Sequence, residues 1–259
     1  MKKVLFSSHL LLAAFLFLLS LGNRGMAQVN VKDSVLRFPM VQFSYAYQFV
    51  DGDMAKRFGN NSSVGIDVLY KTKSKVLLGA DFRYIFGNEV KVDPLVNLRT
   101  PDGNFIGQDG YYTGVNMFER GWSVMGKIGY IFAYKGITSP NNNCGPFLTL
   151  GGGFMEHKIR IQVENNNLSG LDKEGKKGFD RLSNGPAFCG SLGYMYLSNK
   201  RLINFFLAAE FVGAFTQYQR GYDYTTGQIN NEKYFDKLWG IRVGWIIPLY
   251  KRSAAEYVY

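Results

Sequence analysis

Six charged residues fall on positions that an alternating sequence pattern assigns to the interior of the fold. They are Asp67, Asp81, Arg83, Lys127, Glu210 and Arg242. Three are acids and three are bases, so ion pairs can neutralise the whole set, and buried charges require such pairing. An ion-selective ring would carry one sign of charge. We predict a structural charge network with Arg242 close to Asp67, Asp81 or Glu210, and a small-solute or ion-conducting interior is the alternative.

Histidine, the commonest general base, is scarce in this chain. Of the two histidines, His9 lies in an N-terminal segment that we expect to be removed, which leaves His157. His157 falls on the inward side of the fifth alternating segment, near its outer end, where a lipid-modifying enzyme would need a base at the rim. No companion motif accompanies it. We therefore predict no catalytic residue and no enzyme, keep a lipid-modifying enzyme with a rim His157 as the alternative, and expect His157→Ala to leave folding nearly intact.

Glycines and cysteines add no cofactor or metal site to the prediction. The run Gly151-Gly152-Gly153 lacks the Lys-Ser/Thr that follows a phosphate-binding loop, so we interpret it as structural. Cys144 is expected in a periplasmic turn and Cys189 near the middle of a strand, and this difference in height disfavours a disulfide.

Eight segments that alternate large apolar residues with small or polar ones would position these side chains. They are residues 38–50, 63–71, 76–87, 121–134, 147–161, 185–196, 202–218 and 238–250. In a soluble sandwich the second face would be rich in Lys, Glu and Thr. Here it is rich in Gly, Ala and Ser, which suits the inside of a narrow barrel whose outside meets lipid. The sequence predicts an all-β fold, an eight-stranded antiparallel transmembrane β-barrel with both termini on one side.

Long and short connections alternate between these segments. Residues 72–75 and 197–201 are short, whereas residues 88–120 and 162–184 are long, which predicts short periplasmic turns and long outer loops. The connection 135–145 is longer than this pattern prefers. Aromatic residues near the periplasmic end predict a girdle at the membrane interface. The predicted girdle contains Tyr70, Tyr130, Tyr134, Tyr194, Tyr196, Trp245 and Tyr250.

The N-terminus has the layout of a cleavable secretory signal. A basic start, Met1-Lys2-Lys3, precedes an apolar run over residues 10–21 and the small residues around Gly25-Met26-Ala27. We predict a signal peptide at 1–27 and an outer-membrane barrel at 28–259 with short periplasmic N- and C-terminal tails. A retained membrane-anchor helix is the alternative.

The charge pattern bears on the partners. The formal net charge is +10, but the chain has no basic run of five residues, so we predict no nucleic-acid binding. The outer loops mix Lys173, Lys176, Lys177, Arg181 and Arg220 with acids such as Asp172 and Glu174. Such loops are usually solvated, and they could also bind a protein or anionic lipopolysaccharide. The expected partners are outer-membrane lipid, lipopolysaccharide, and a protein held by the loops or the periplasmic tail.

The stretch from Met155 to Tyr250 carries a family resemblance. Its features are His157-Lys158-Ile159-Arg160, the segment from Gly178 to Gly185, and a last strand from Trp239 to Leu249. It resembles the small bacterial outer-membrane β-barrel superfamily and, more narrowly, the small barrel associated with type IX secretion and gliding. The resemblance implies a non-enzymatic structural, scaffold or partner-binding component. One departure is that residues 251–259 follow the last strand, where a terminal aromatic usually ends the chain.

Overall fold

The alternating segments form long strands that close into one antiparallel barrel. The computed structural model describes residues 35–134, 136, 140–164, 168, 170–172, 174–198 and 203–250. Its barrel strands are β1 (Phe38–Gly52), β2 (Asn61–Lys71), β3 (Val76–Gly87), β6 (Val115–Ile131), β7 (Gly145–Val163), β8 (Ser183–Leu197), β9 (Asn204–Tyr218) and β12 (Lys233–Pro248). Pairing of β1 with β12 closes the sheet. The predicted eight-stranded barrel is confirmed, whereas the proposed signal segment 1–27 and the tail 251–259 lie outside the described residues.

Short helices and hairpins lie in the connections at one end of the barrel. They are two 3-10 helices (Met54–Lys56 and Val96–Leu98), the hairpins β4 (Phe105–Ile106) with β5 (Tyr112–Thr113) and β10 (Tyr222–Asp223) with β11 (Gln228–Ile229), and the helix α1 (Gly175–Phe179). Because long loops face outward in such barrels, we call this the outer end and the opposite end periplasmic. Both ends of the described chain lie at the periplasmic end, where the rings of Phe38 and Tyr250 are 4.7 Å apart. No helix within the described residues has the length and apolar character needed to cross a membrane.

Two strands begin well before the segments from which they were predicted. Strand β6 starts at Val115 rather than at residue 121, and β12 starts at Lys233 rather than at residue 238. The backbone ladder continues through both extensions, pairing Glu119 with Ile159 and Asp236 with Ala214. Backbone hydrogen bonds need no apolar side chain, so the strands extend past the point where hydrophobic alternation ends.

The outer face of the barrel is apolar over its middle. Large exposed side chains alternate along every strand, among them Phe43, Phe82, Leu150, Trp239 and Ile241. Each barrel strand pairs with a neighbour on both sides, so closure leaves no free strand edge. A closed sheet with such a surface is the form in which strands cross a lipid bilayer.

Polar and apolar layers alternate inside the barrel. Along β9 the inward residues Phe206 and Ala208 precede Glu210, and Val212 and Ala214 follow it. The apolar layer on the periplasmic side of Glu210, the periplasmic core, includes Phe38, Met40, Leu69, Leu77, Ile131, Phe147, Phe206 and Ile246. The outer core combines Ile85, Met125, Met155, Ile159, Val212 and Leu238 of the strands with Met54, Phe58, Leu95, Phe105, Leu171 and Phe179 of the loops. The outer loops therefore fold back and fill the barrel mouth with apolar side chains.

Candidate functional site

The carboxylate of Glu210 lies at the centre of a charge network between the two cores. Arg83 donates through Nη2 to Oε2 at 2.7 Å and through Nη1 to Oε1. Arg242 Nη1 and Ser191 Oγ also donate to Oε2, at 3.4 Å and 3.2 Å. The two parallel bonds from Arg83 are the geometry that a guanidinium adopts with a carboxylate. Glu210 on β9 is thus joined to β3 on the opposite side of the barrel and to its two neighbours, β12 and β8.

The other two acids complete the network. Asp67 accepts from Arg242 Nη2 at 2.5 Å, and Asp81 accepts from Arg83 Nε at 2.5 Å. Lys127 Nζ lies 3.1 Å from Asp81 Oδ2. The structure therefore brings together all six residues that the alternating pattern placed inside, and each lies within 4.0 Å of an opposite charge.

This network neutralises itself and fills the middle of the barrel. The space left beside Asp67, Lys127 and Arg242 is about 20 Å³, room for about one water molecule. Gly151, the first glycine of the triple run, faces this layer. A Cβ there would lie 2.6 Å from the backbone oxygen of Gly126, 2.9 Å from Sγ of Cys189 and 3.0 Å from Cγ of Lys127, so the position has no room for a side chain. The arrangement suits a structural role for the six charges.

His157 lies inside the barrel in a second polar layer closer to the outer end, on the inward face of β7 to which the alternating pattern assigned it. Its side chain is 0% exposed, whereas the enzyme alternative requires a histidine that is open at the rim. Its Nε2 lies 2.9 Å from Oδ2 of Asp236, and the ring of Phe58 packs edge-on at 5.7 Å. The connection 53–60 covers the histidine, which the position of a residue within its strand does not reveal. The acid required by the enzyme alternative is present, but protein covers both groups.

Asp236 holds this second layer together. Besides His157, it accepts from Thr216 Oγ1 at 2.5 Å and lies 3.3 Å from Arg57 Nη2. Arg57 also donates through Nη1 to Ser183 Oγ at 3.0 Å. Removal of His157 would therefore leave a buried carboxylate with one partner fewer, so the expectation that His157→Ala is structurally neutral does not fit the structure.

Sequence reasoning missed this second layer. Asp236 has the same inward parity as Leu238 and Arg242, so a prediction that extended β12 by two residues would have placed it inside. Thr216 lies within the seventh predicted segment with the inward parity of Ala214, so the alternating pattern alone already places it inside. Arg57 lies in a connection where no periodicity applies, and the sequence offers no signal for its inward direction.

Loop cations that were predicted as a mixed, solvated surface are largely engaged with loop acids. Lys177 pairs with Glu174 at 2.8 Å, Arg220 with Asp180 at 2.5 Å, and Arg181 with Asp223 at 3.6 Å. The hydrogen bond to Asp180 raises the pKa of Arg220 above its usual value. Lys173 lies outside the described residues. These loop charges are therefore mostly compensated locally.

The residues of the predicted periplasmic girdle are exposed or partly exposed on the lipid-facing side of the barrel, except at one position. Tyr70, Tyr130, Tyr134 and Trp245 are exposed on the outer face, and Tyr194 and Tyr196 are partly exposed there. Tyr250 was assigned to this face wrongly, because it packs against Phe38 beside the periplasmic core. The chain leaves β12 at Pro248, and past the end of the strand the alternation no longer dictates where a side chain points.

Both cysteines are free and buried. Cys144 lies in the periplasmic connection between β6 and β7, and burial raises the pKa of its thiol above its usual value. Within the residues that the structure describes, no group of three His, Cys, Asp or Glu side chains is placed to hold a metal ion.

Comparisons with known proteins return structures but no sequence relatives. No protein-family model matches the sequence, and no curated protein matches it. Ail, the attachment invasion locus protein of Yersinia pestis, solved in complex with the heparin analogue sucrose octasulfate, superposes with a TM-score of 0.41 at 13% identity over 81% of this chain and 98% of that one. Neisserial surface protein A superposes with a TM-score of 0.39 at 14% identity over 79% and 96%.

The geometry of the chain itself identifies its setting. Eight strands close completely, their outward side chains form an apolar surface, and the charged side chains among the described residues lie in the interior or near the ends. Only lipid is a suitable solvent for such a surface. The protein is a small eight-stranded β-barrel of the bacterial outer membrane.

Proposed function

We propose that this barrel is a non-enzymatic scaffold that binds a protein partner through its outer loops. The observation that carries the proposal is a set of large apolar side chains displayed on the two small outer hairpins. They are Ile106, Tyr111, Tyr112, Tyr222, Tyr224 and Ile229. We call them the hairpin surface. Tyr111 and Tyr112 are 75% and 68% exposed, and exposed apolar groups clustered on a loop surface are typical of binding sites.

The hairpin β10–β11 is hydrogen-bonded to residues 94–97, in the same long connection that carries the hairpin β4–β5. Asn97 Nδ2 donates to the carbonyl of Thr225 at 2.7 Å, and Thr225 Oγ1 donates to the carbonyl of Pro94 at 2.7 Å. Phe105 is buried in the outer core, with the guanidinium of Arg99 4.3 Å above its ring. A surface held in this way loses little conformational freedom on binding, which favours affinity.

The filled interior supports the same proposal. The six charges of the central network face one another, and His157 faces Asp236 beneath the loops. The side chains of the outer loops are therefore better placed to contact another molecule than the polar side chains inside the barrel. The sequence resemblance suggests that the barrel is itself a component of a type IX secretion or gliding apparatus. Residues 1–27 would direct its export, and the tail 251–259 would offer a second contact.

Photo-crosslinking in intact cells tests the proposal. A photoreactive amino acid at Tyr112 is expected to give a discrete crosslinked protein, and the double change Tyr111→Ser/Tyr222→Ser is expected to abolish it. Tyr134→Ser is the matched control, because Tyr134 is an exposed tyrosine at the periplasmic end. Crosslinking that survives the double change, or that arises only from residues 251–259, would contradict binding through the hairpin surface.

A further inference from the structure

Three cations lie together on the lipid-facing side of the barrel at its outer rim. Arg120 of β6 is directly opposite Lys158 of β7, and Arg160 follows on the same face of β7, opposite Phe118. Lys158 and Arg160 are exposed. The guanidinium of Arg120 lies 5.0 Å from the Phe118 ring centroid. We call these three residues the rim cation cluster.

No carboxylate neutralises this cluster within the described residues. Like charges on directly opposed strand positions repel each other, so the pair of Arg120 and Lys158 needs a counter-charge. The nearest acid on the same face of β7 is Glu156, which accepts hydrogen bonds from Trp122 Nε1 at 3.0 Å and from Asn184 Nδ2 at 3.3 Å. Glu156 is therefore hydrogen-bonded to Trp122 and Asn184 and forms no ion pair with the rim cation cluster.

The height of the cluster points to the membrane interface. Closer to the middle of the barrel on the same two strands, Trp122 of β6 and Phe154 of β7 form an aromatic pair with ring centroids 5.8 Å apart. Apolar residues such as Val124 continue from there toward the middle of the barrel. Tryptophan concentrates at the level of lipid headgroups. The three cations therefore face the zone in which the phosphates of outer-leaflet lipids lie.

Other cations of the outer end differ from these three. Lys177, Arg181 and Arg220 in the loops have carboxylate partners, and so does Lys56, whose Nζ lies 2.8 Å from Asp53. Lys237 on β12 is directly opposite Asp51. Lys91 and Lys233 are exposed at the outer end and lie in no ion pair among the described residues, but each stands alone, whereas β6 and β7 bring three cations together.

We propose that the rim cation cluster binds the phosphate of a phosphorylated glycolipid headgroup in the outer leaflet. Arg120 Nη1 is held by the carbonyls of Gly87 and Glu119, at 3.2 Å and 2.6 Å, which fixes its guanidinium at the rim. Arg160 and the other nitrogens of Arg120 provide donors to one phosphate, and Lys158 adds a point charge. The acyl chains of the same lipid would lie against Val124 and Phe154 below. This binding involves the side of the barrel, so it does not depend on a protein partner at the hairpin surface.

Binding of lipid A to the full-length barrel in detergent micelles tests the proposal. Fluorescence anisotropy of labelled bisphosphorylated lipid A would report the apparent Kd. Each cation removed from such a surface is expected to weaken binding about fivefold, so Lys158→Ala/Arg160→Ala should raise the Kd by more than tenfold. Lys158→Arg should retain binding. Lys233→Ala, which removes an exposed cation from β12, is the matched control and should change the Kd little.

Two further measurements distinguish binding of a lipid-borne phosphate from binding of free phosphate or of the acyl chains alone. Fully dephosphorylated lipid A should bind about as weakly as the double variant binds the intact lipid, and millimolar inorganic phosphate should not displace the intact lipid. Equal affinity for the dephosphorylated form, displacement by free phosphate, or an equal effect of Lys233→Ala would each overturn the proposal. A heat-modifiable band on gels verifies that every variant is folded.

Discussion

Arg242 and Asp67 lie on strands that do not touch, and they are joined across β1 by a bond of 2.5 Å between Nη2 and Oδ2. Strand β1 pairs with β12 on one side and with β2 on the other. The bond therefore spans the seam at which the last strand meets the first. Arg242 also lies 3.4 Å from Glu210 on β9, so one guanidinium connects three strands around the interior.

Arg242→Met is expected to destabilise the barrel by about 3–5 kcal/mol, because removal of one partner leaves buried carboxylates without their cation. Denaturant unfolding of the protein refolded into lipid vesicles would measure the loss. Arg242→Met/Asp67→Leu should recover part of the stability, since it removes the stranded acid as well. A single variant as stable as the parent protein would show that the ion pair carries no net stability.

His157→Ala is expected to lower the unfolding free energy by about 1–3 kcal/mol, because Asp236 loses a hydrogen-bond partner in a buried layer. Lipid A acylation in whole cells should not change, since protein covers the imidazole. Thr216→Val is the matched control, because it removes another donor to the same carboxylate and should cost a similar amount. Altered acylation in a folded His157→Ala protein would instead support the lipid-modifying enzyme.

Two isoleucines provide a matched test of the membrane position. Ile241 is 58% exposed on the middle of β12, whereas Ile229 is 76% exposed on an outer hairpin. Ile241→Arg should cost about 2–4 kcal/mol in vesicles because an arginine there meets the bilayer interior. Ile229→Arg should be nearly neutral, since that position is solvated. Equal costs at the two sites would be inconsistent with the assigned outer end.

The thiol of Cys144 is expected to react slowly with alkylating reagents. It is buried, and its raised pKa keeps it in the protonated, poorly nucleophilic form at neutral pH. Iodoacetamide labelling of a Cys189→Ala protein would isolate Cys144, and Ser74→Cys in the exposed turn between β2 and β3 gives a matched accessible thiol. Labelling of Cys144 at the rate of the Ser74→Cys site would contradict its burial.

Alternation made the barrel and its central network predictable from the sequence. Side chains on a strand point to opposite faces in turn, so Glu210 and Arg242 could be assigned inward once the apolar face was known. The second layer was missed because it requires the outer extension of β12 for Asp236 and the fold of a connection for Arg57. Hydrophobic periodicity fixes neither position. Asp236 lies beyond the apolar part of β12, and the direction of Arg57 depends on contacts between its loop and strands that are distant in the sequence.

The rim cation cluster illustrates a related limit. The sequence contains Lys158 and Arg160 two residues apart, but their proximity to Arg120 depends on the pairing of β6 with β7. The loop lysines and arginines were equally good candidates for anion binding from the sequence. Their acid partners, such as Asp223 for Arg181, are set by loop packing and became visible only in the structure.

The inward direction of Arg242 also constrains how the barrel can be assembled. A slip of β12 by one residue against β1 would exchange its two faces, moving Arg242 into lipid and Ile241 into the interior. Such a misassembled barrel would lose the cation of Asp67 and would expose a guanidinium to hydrocarbon at the same time. The ion pair at the seam therefore makes the slipped register less stable than the correct one. An all-apolar interior of the same volume would not separate the two registers in this way.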